Sequence, residues 1–498
     1  MVRSPKTIYE DLNKGKIDKL SASEVLISLI ENVDDIDVRL ESINTLQQIN
    51  FKNDKIFSIL ENLLISDSNE NVRNLAAKAL TGLFEQKALP PLKWALEHEK
   101  SLNCLTNIIS NIGSINDNKA KYIIFNKINE INKKKYRYNL KIIFKEINID
   151  SLSNKELAEL LIDYYIISSL KIRFGYLQFE SNKSGSVISL DLSNVDVQSI
   201  NKLTNYLESI LSLSFLRNLD LSNNNLMRLP LKSDKVSSLE DLNLSYNKLI
   251  KLPESINTLK SLKSLNLKFN KLRNLPDSIG TLSKLEYLNL RSNKIKILPN
   301  SIGYIKRLRI LDLQGNRLEH VPNSLNDLKN LKELHLGGNN FIEVSESIKT
   351  LKSLKTLGLG RNKLSILPKW IKDLDSLKEL DLHDNLLINI PDRNSLPPSL
   401  ELLNFRNNNL NSLPNSISYL TSLKKFNLSW NNLTELPDWI GALTSLIELN
   451  LWGNKLKSLP ESIKNLKSLK NLYLNFTNIK ELPDSIKILE KNGLIINL

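Results

Sequence analysis

From Leu216 onward the apolar positions follow one strict rhythm. The pattern Leu-x-x-Leu-x-Leu-x-x-Asn-x-Leu-x-x-Leu-Pro returns every 23 residues. One asparagine column fixes its register: Asn224, Asn247, Asn270, Asn293, Asn316, Asn339, Asn362, Asn385, Asn408, Asn431 and Asn454, with Thr477 in the last full unit. Within Leu-x-Leu the leucines alternate with polar residues, which predicts a short strand with one buried face. Twenty-three residues are too few for a core of their own. Each unit must stack on its neighbours to bury its leucines, so the pattern predicts a solenoid with a parallel sheet. The asparagine stands where the chain leaves the strand. Its amide has donors and acceptors for backbone groups of adjacent turns. Each such group would cost about 1–3 kcal/mol if buried unpaired. The proline after the next leucine ends strand pairing and sets an extended return path.

Twelve such units span 216–491, and over them the chain resembles the leucine-rich repeat. The tails of Leu-Pro-x-x-Ile-x-x-Leu form, as in Leu275, Pro276, Ile279 and Leu282, look like the intracellular Ras-suppressor and plant disease-resistance subfamily. The resemblance implies a horseshoe with a concave parallel sheet, and small GTPases or their effectors as partners. Thr477 and Ser345 depart from the pattern, Ser345 standing where other units have proline. The segment 391–400 replaces the helical-looking tail with an extended one and resembles the proline-rich repeats of bacterial leucine-rich proteins. A local change of curvature is expected there. Residues 174–192 read as a hairpin running into a first strand. They look like the amino-terminal cap of plant arrays without its cysteines, so 171–215 is assigned to a cap and an irregular first repeat. Residues 492–498 read as a terminal partial strand, whose open edge predicts weak self-association.

Residues 1–170 show helical spacing instead. Two segments align 34 residues apart, one around Val38 and Arg39 and one around Val72 and Arg73, each preceded by Asp or Asn. The acidic or amide residue caps a helix, valine and alanine face the core, and arginine lies at the first turn. The second segment resembles the HEAT repeat. Residues 88–113 give a weaker third copy, 117–147 a degenerate fourth, and 153–169 a last helix. The whole is an α/β solenoid: a HEAT-like α-α superhelix over 1–170, then the leucine-rich array.

Of the net charge of +14, +2 falls in residues 1–190 and +12 in 191–498. Spread over about 300 residues, that excess makes nucleic acid an unlikely partner. The one cysteine, Cys104, lies among Leu102, Leu105 and Ile108 and reads as a small buried hydrophobe. The start carries no apolar leader and no run is long enough to span a bilayer, so a cytoplasmic protein is expected. No phosphate loop, His-Glu-x-x-His or Cys-x-x-Cys is present. Neither enzyme activity nor a cofactor or metal is expected.

Specificity must then lie on the outward positions of the strands. Their central column reads Asp220, Asn243, Asn266, Asn289, Asp312, His335, Gly358, Asp381, Asn404, Asn427, Asn450 and Tyr473. Gly337, Gly338, Gly358 and Gly360 strip side chains from two neighbouring strands and predict room for close approach. Glu333, His335, Arg361, Glu379, Asp381, His383 and Asp384 surround that gap, and Trp430, Trp452, Tyr473 and Phe476 place aromatics further along. Exposed aromatics near arginine are typical interface anchors. A mostly basic edge runs three positions earlier, from Arg217 through Lys263 and Lys378 to Lys470, interrupted by Glu240, Glu286 and Glu401. It reads either as a solubility rim or as a steering strip for an acidic partner. The function expected is a scaffold or adaptor binding a protein on the concave face; the alternative is an immune- or effector-type sensor of a non-protein ligand.

Overall fold

The computed structural model describes residues 4–133, 151–175, 177–195, 206–207, 209–229, 231, 238–391 and 396–498. They fall into two compact units. The first comprises Met1–Asp191 with Asn201–Arg217, the second Leu192–Ile200 with Asn218–Leu498.

The first unit holds α1 (Pro5–Asn13), α2 (Lys19–Asn32), α3 (Ile36–Ile49), α4 (Asp54–Ser66), α5 (Glu70–Phe84), α6 (Leu89–His98), α7 (Leu102–Ser114), α8 (Asn118–Lys133) and α9 (Asn154–Phe174). Short polar caps decide where they start. Asp35 accepts from the Asp37 and Val38 N–H groups at the head of α3, Asn69 from Asn71 at α5, and Ser101 from Cys104 at α7. The helices pack in pairs, α2 on α3, α4 on α5 and α6 on α7, with α5 wedged between α3 and α7. Ala76, Ala77 and Ala79 of α5 are fully buried, small side chains that let three helices close on one. At Gly113 a Cβ would fall 2.4 Å from that of Ala158, so α7 and α9 can meet there only over glycine. Cys104 is buried, as expected, and burial pushes its thiol well above the usual range.

The expected seam at residue 170 falls inside α9. A hairpin follows, β1 (Gln178–Ser181) antiparallel to β2 (Val187–Asp191). It belongs to the helical unit, because the buried Asp163 of α9 accepts from the Val187 N–H at 2.8 Å. The expected fourth helical copy begins with α8; its residues 134–147 lie outside the described residues, as do 196–205 of the expected first repeat.

The second unit is built of three-residue strands in chain order: β3 (Asn218–Asp220), β4 (Asp241–Asn243), β5 (Ser264–Asn266), β6 (Tyr287–Asn289), β7 (Ile310–Asp312), β8 (Glu333–His335), β9 (Thr356–Gly358), β10 (Glu379–Asp381), β11 (Leu402–Asn404), β12 (Lys425–Asn427), β13 (Glu448–Asn450), β14 (Asn471–Tyr473) and β15 (Ile495–Asn497). Each pairs with the next in parallel, leucine opposite leucine at the centre except for Phe426 of β12 and Ile496 of β15. The asparagine column forms the expected ladder. The Asn316 amide donates to Leu290 O at 2.9 Å and Leu313 O at 3.0 Å and accepts from the Ile295 N–H at 3.0 Å. The prolines open five-residue 3-10 turns on the opposite side, as Pro276 does before Asp277–Thr281. Where Ser345 replaces proline, its hydroxyl accepts from the Ser347 N–H and caps the turn. Residues 392–395 of the expected extended segment lie outside the described residues. A short helix, α10 (Ile486–Lys491), precedes β15.

Candidate protein-binding face

The outward column has a scaffold role that its polarity conceals. Each Asp or Asn on it turns its side-chain oxygen onto the backbone N–H two residues later. Examples are Asp220 to Ser222 at 2.7 Å, Asn289 to Arg291 at 3.0 Å, Asp312 to Gln314 at 3.0 Å and Asn450 to Trp452 at 3.1 Å. These Asx turns bend the chain out of the strand and satisfy a donor that the ladder leaves over. Three turns lack an Asx residue there: His335, Gly358 and Tyr473. Those are the positions whose identity the scaffold does not explain.

His335 and Gly358 are cross-strand neighbours, and Asp381 is the next residue in the same row. The expected open gap is partly filled, because histidine rings lean over the glycines. A Cβ on Gly360 would fall 2.1 Å from His383 Nδ1, and one on Gly358 would lie 3.4 Å from His335 Nδ1. The glycines make room for the protein's own imidazoles. His335 Nε2 lies 3.3 Å from Glu333 Oε2. His383 Nδ1 lies 2.8 Å from Asp381 Oδ1, and Asp381 with Asp384 raises the basicity of that ring. Burial works against the Asp384 carboxylate, but bonds from Asn407 at 2.7 Å and Arg361 at 3.2 Å outweigh it and hold its pKa below the usual value.

A second column decides where the aromatics sit. The residue before each ladder position has a left-handed backbone: Tyr246, Phe269, Ser292, Gly315, Gly338, Arg361, Asp384, Asn407, Trp430, Gly453 and Phe476 all have φ between +52° and +68°. Glycine is the unstrained choice there. Most of these positions carry a larger side chain, aimed beside the strands. Trp430 and Phe476 stand 45% and 76% exposed with Trp452 between them. Ring centroids are 5.9 Å apart for Trp430 and Trp452 and 6.0 Å for Trp452 and Phe476. Three of the four expected anchors therefore form one cluster, seated on Gly453, where a Cβ would meet the Trp430 ring at 3.0 Å. Tyr473 occupies its expected outward place on β14 and is partly buried.

The same column holds a pair missed from the sequence, Tyr246 stacked on Phe269 at 4.6 Å with Lys268 over the tyrosine ring. Scanning the residue before each ladder asparagine finds it. Four of the eight basic edge residues pair with the glutamates that interrupt the edge. Lys263 pairs with Glu240, Arg309 with Glu286, and Lys378 and Lys424 both with Glu401. Among the described residues no cluster of His, Cys, Asp and Glu has metal-site geometry, and no helix is long and apolar enough to cross a membrane.

Family models agree with this division. HEAT repeats match residues 18–122, a leucine-rich repeat region matches 270–396, and further leucine-rich repeats match 214–272, 422–443 and 445–466. Among curated proteins none matches the chain. A leucine-rich-repeat protein of Leptospira interrogans is 30% identical with a TM-score of 0.53, and the match covers 74% of this chain and all of that one. The ectodomain of the Arabidopsis receptor kinase HAESA, solved with an N-terminally extended IDA peptide hormone ligand, is 26% identical with a TM-score of 0.54, over 68% of this chain and 61% of its own. This chain therefore spans about six tenths of that receptor structure. With the strand register, the asparagine ladder and the full-length match to the Leptospira protein, the chain belongs to the leucine-rich-repeat proteins, with HEAT repeats ahead of the array.

Proposed function

We propose that this chain is a non-catalytic scaffold that holds a protein partner on the strand face of its leucine-rich unit. The observation that carries this is the break in the Asx column. The two adjacent turns that abandon it, His335 and Gly358, are bordered by Glu333, Glu379, Asp381, His383 and Arg361, and the third, Tyr473, lies by the Trp430, Trp452 and Phe476 cluster. Large exposed aromatics on strained backbone beside charged groups are interface chemistry. The HAESA structure, with its bound peptide hormone, supports a polypeptide ligand. The tails that resemble the Ras-suppressor subfamily make a small GTPase or its effector the partner class to test first, in the cytoplasm. Nucleic acid is not proposed as a partner. Weak self-association through β15, which pairs with β14 on one side, is a secondary expectation.

The test is capture of the partner by the whole chain and by variants. Trp430→Ala, Tyr473→Ala and Asp381→Ala should each weaken capture, by roughly tenfold or more for a true anchor. Lys464→Glu, on the 3-10 side, should leave it unchanged. Normal capture by the strand-face variants together with loss in the Lys464 variant would move the site to the other face.

A further inference from the structure

One row of the strand face shows a charge pattern found nowhere else on it. Read across β7 to β11 it runs Ile310, Glu333, Thr356, Glu379, Leu402, each residue paired in register with the next. Two carboxylates thus flank a short threonine, and uncharged apolar residues close both ends. Two strand spacings separate the carboxylate-bearing strands, about 10 Å. The other strand-side glutamates Glu240, Glu286, Glu401 and Glu448 each lie within 4 Å of a lysine or arginine. Here Glu333 has only the His335 ring, and Glu379 has no ion pair among the described residues. The next row adds Asp381 beside Gly358, and Arg361 is taken by Asp384. In a chain of net charge +14, Glu333, Glu379 and Asp381 thus gather acid around the small residues Thr356 and Gly358, beside Lys332 and Lys355 of the edge.

We infer that this sheet face takes an extended polypeptide segment that lays a lysine or arginine between Glu333 and Glu379 and an apolar side chain on the Trp430 cluster. The inference rests on the proposed function and adds the partner's chemistry. Charge complementarity selects the first contact, since a long side chain fills a 10 Å gap while its cation reaches both carboxylates. Strand β12, which leads into Trp430, is three spacings from β9, about 14 Å. An extended chain crosses that distance in about four residues. The recognised element is therefore a basic residue with a large apolar residue about four positions away. Leu402 lies between the two contacts and offers an apolar path.

The experiment pans a phage-displayed random peptide library against the whole chain and measures the enriched peptides by fluorescence polarisation. Enriched sequences should share a basic and an aromatic or leucine residue about four apart. Their affinity should fall roughly tenfold or more in the double variant Glu333→Gln, Glu379→Gln, and also in Trp430→Ala, while Glu461→Gln on the 3-10 side leaves it intact. Panning against Glu379→Lys should shift the pool toward acidic residues, a gain that an unfolded variant would not give. Peptides that need Trp430 but carry no basic preference would overturn this inference and leave the proposed function standing. Peptides indifferent to both sets of variants would overturn both. No enrichment over an uncoated surface would overturn the inference.

Discussion

At the level of single residues, two columns of the array separate scaffold from surface. The ladder asparagines were legible in the sequence because they recur every 23 residues at the strand exit. Replacing one in mid-array removes several bonds at once. Asn316→Ala leaves Leu290 O and Leu313 O with one amide donor each, from Asn293 and Asn339, and leaves the Ile295 N–H without its partner in a dry interior. The expected loss is about 1–3 kcal/mol, read as a lower denaturation midpoint for the array. An unchanged midpoint would mean that water or backbone shifts replace the ladder. The Asx turns were not legible, because an outward Asn looks like any solvated residue until the backbone direction is known. The left-handed column was hidden for the same reason. It yields a pair of opposite effects. Gly338→Ala forces a Cβ onto a backbone at φ +65° and to 3.3 Å from Gly315 N, at a cost of about 1–2 kcal/mol. Ser292→Gly, at φ +56°, relieves strain of similar kind and should raise the midpoint or leave it level. Equal losses from both would show that the backbone there is not strained.

At the level of elements, the capped helices were readable because capping is local. Asp35 and Asn69 do what their position before an apolar run requires. The arginines were placed correctly at the first turn, but their partners were not visible. Arg39 meets Asp67, and Arg73 meets Glu99 through two bonds of 2.8 and 2.9 Å. Those partners lie 28 and 26 residues away and depend on how helices dock, which no local pattern encodes. Glu99 sits at the end of α6 and is almost buried. Burial pushes its pKa up, but bonds from Arg73, Cys104 and the Ser101 N–H outweigh this and hold it at about 2. A carboxyl depressed in the folded state contributes stability at pH above its unfolded value, about 4.3. That contribution is lost as pH falls through about 4 toward 2. Acid unfolding followed by helical circular dichroism should therefore be less steep in Glu99→Gln than in the parent, and the variant should be less stable at pH 7. Identical acid profiles would mean that the pair contributes nothing across α5 and α6.

Over the whole molecule, the two architectures follow from two periodicities, 23 residues in one stretch and 34 in the other, and both were evident before any coordinates. The join was not. Motif spacing put it near 170, yet α9 continues to Phe174 and its buried Asp163 reaches into the hairpin. Burial raises the Asp163 pKa to about 8, with the nearby Glu159 adding to the rise and the Val187 N–H opposing it. A carboxyl raised in the folded state favours folding fully below its unfolded pKa of about 3.9 and loses that contribution as pH rises through about 8. The hairpin is thus part of the helical unit's core, joined to it by an acid that burial makes hard to ionise. Fragment 1–217 ends where the first unit ends, whereas 1–170 cuts α9 short and leaves Asp163 without its Val187 donor. The longer fragment should unfold cooperatively, and the shorter one at a clearly lower denaturant midpoint. The midpoint of 1–217 should also decline between pH 5 and pH 8, and Asp163→Asn should flatten that decline because an amide keeps the Val187 bond without a charge to bury. Equal midpoints for the two fragments, together with no pH dependence in the longer one, would place the hairpin outside the helical core and return the boundary to 170.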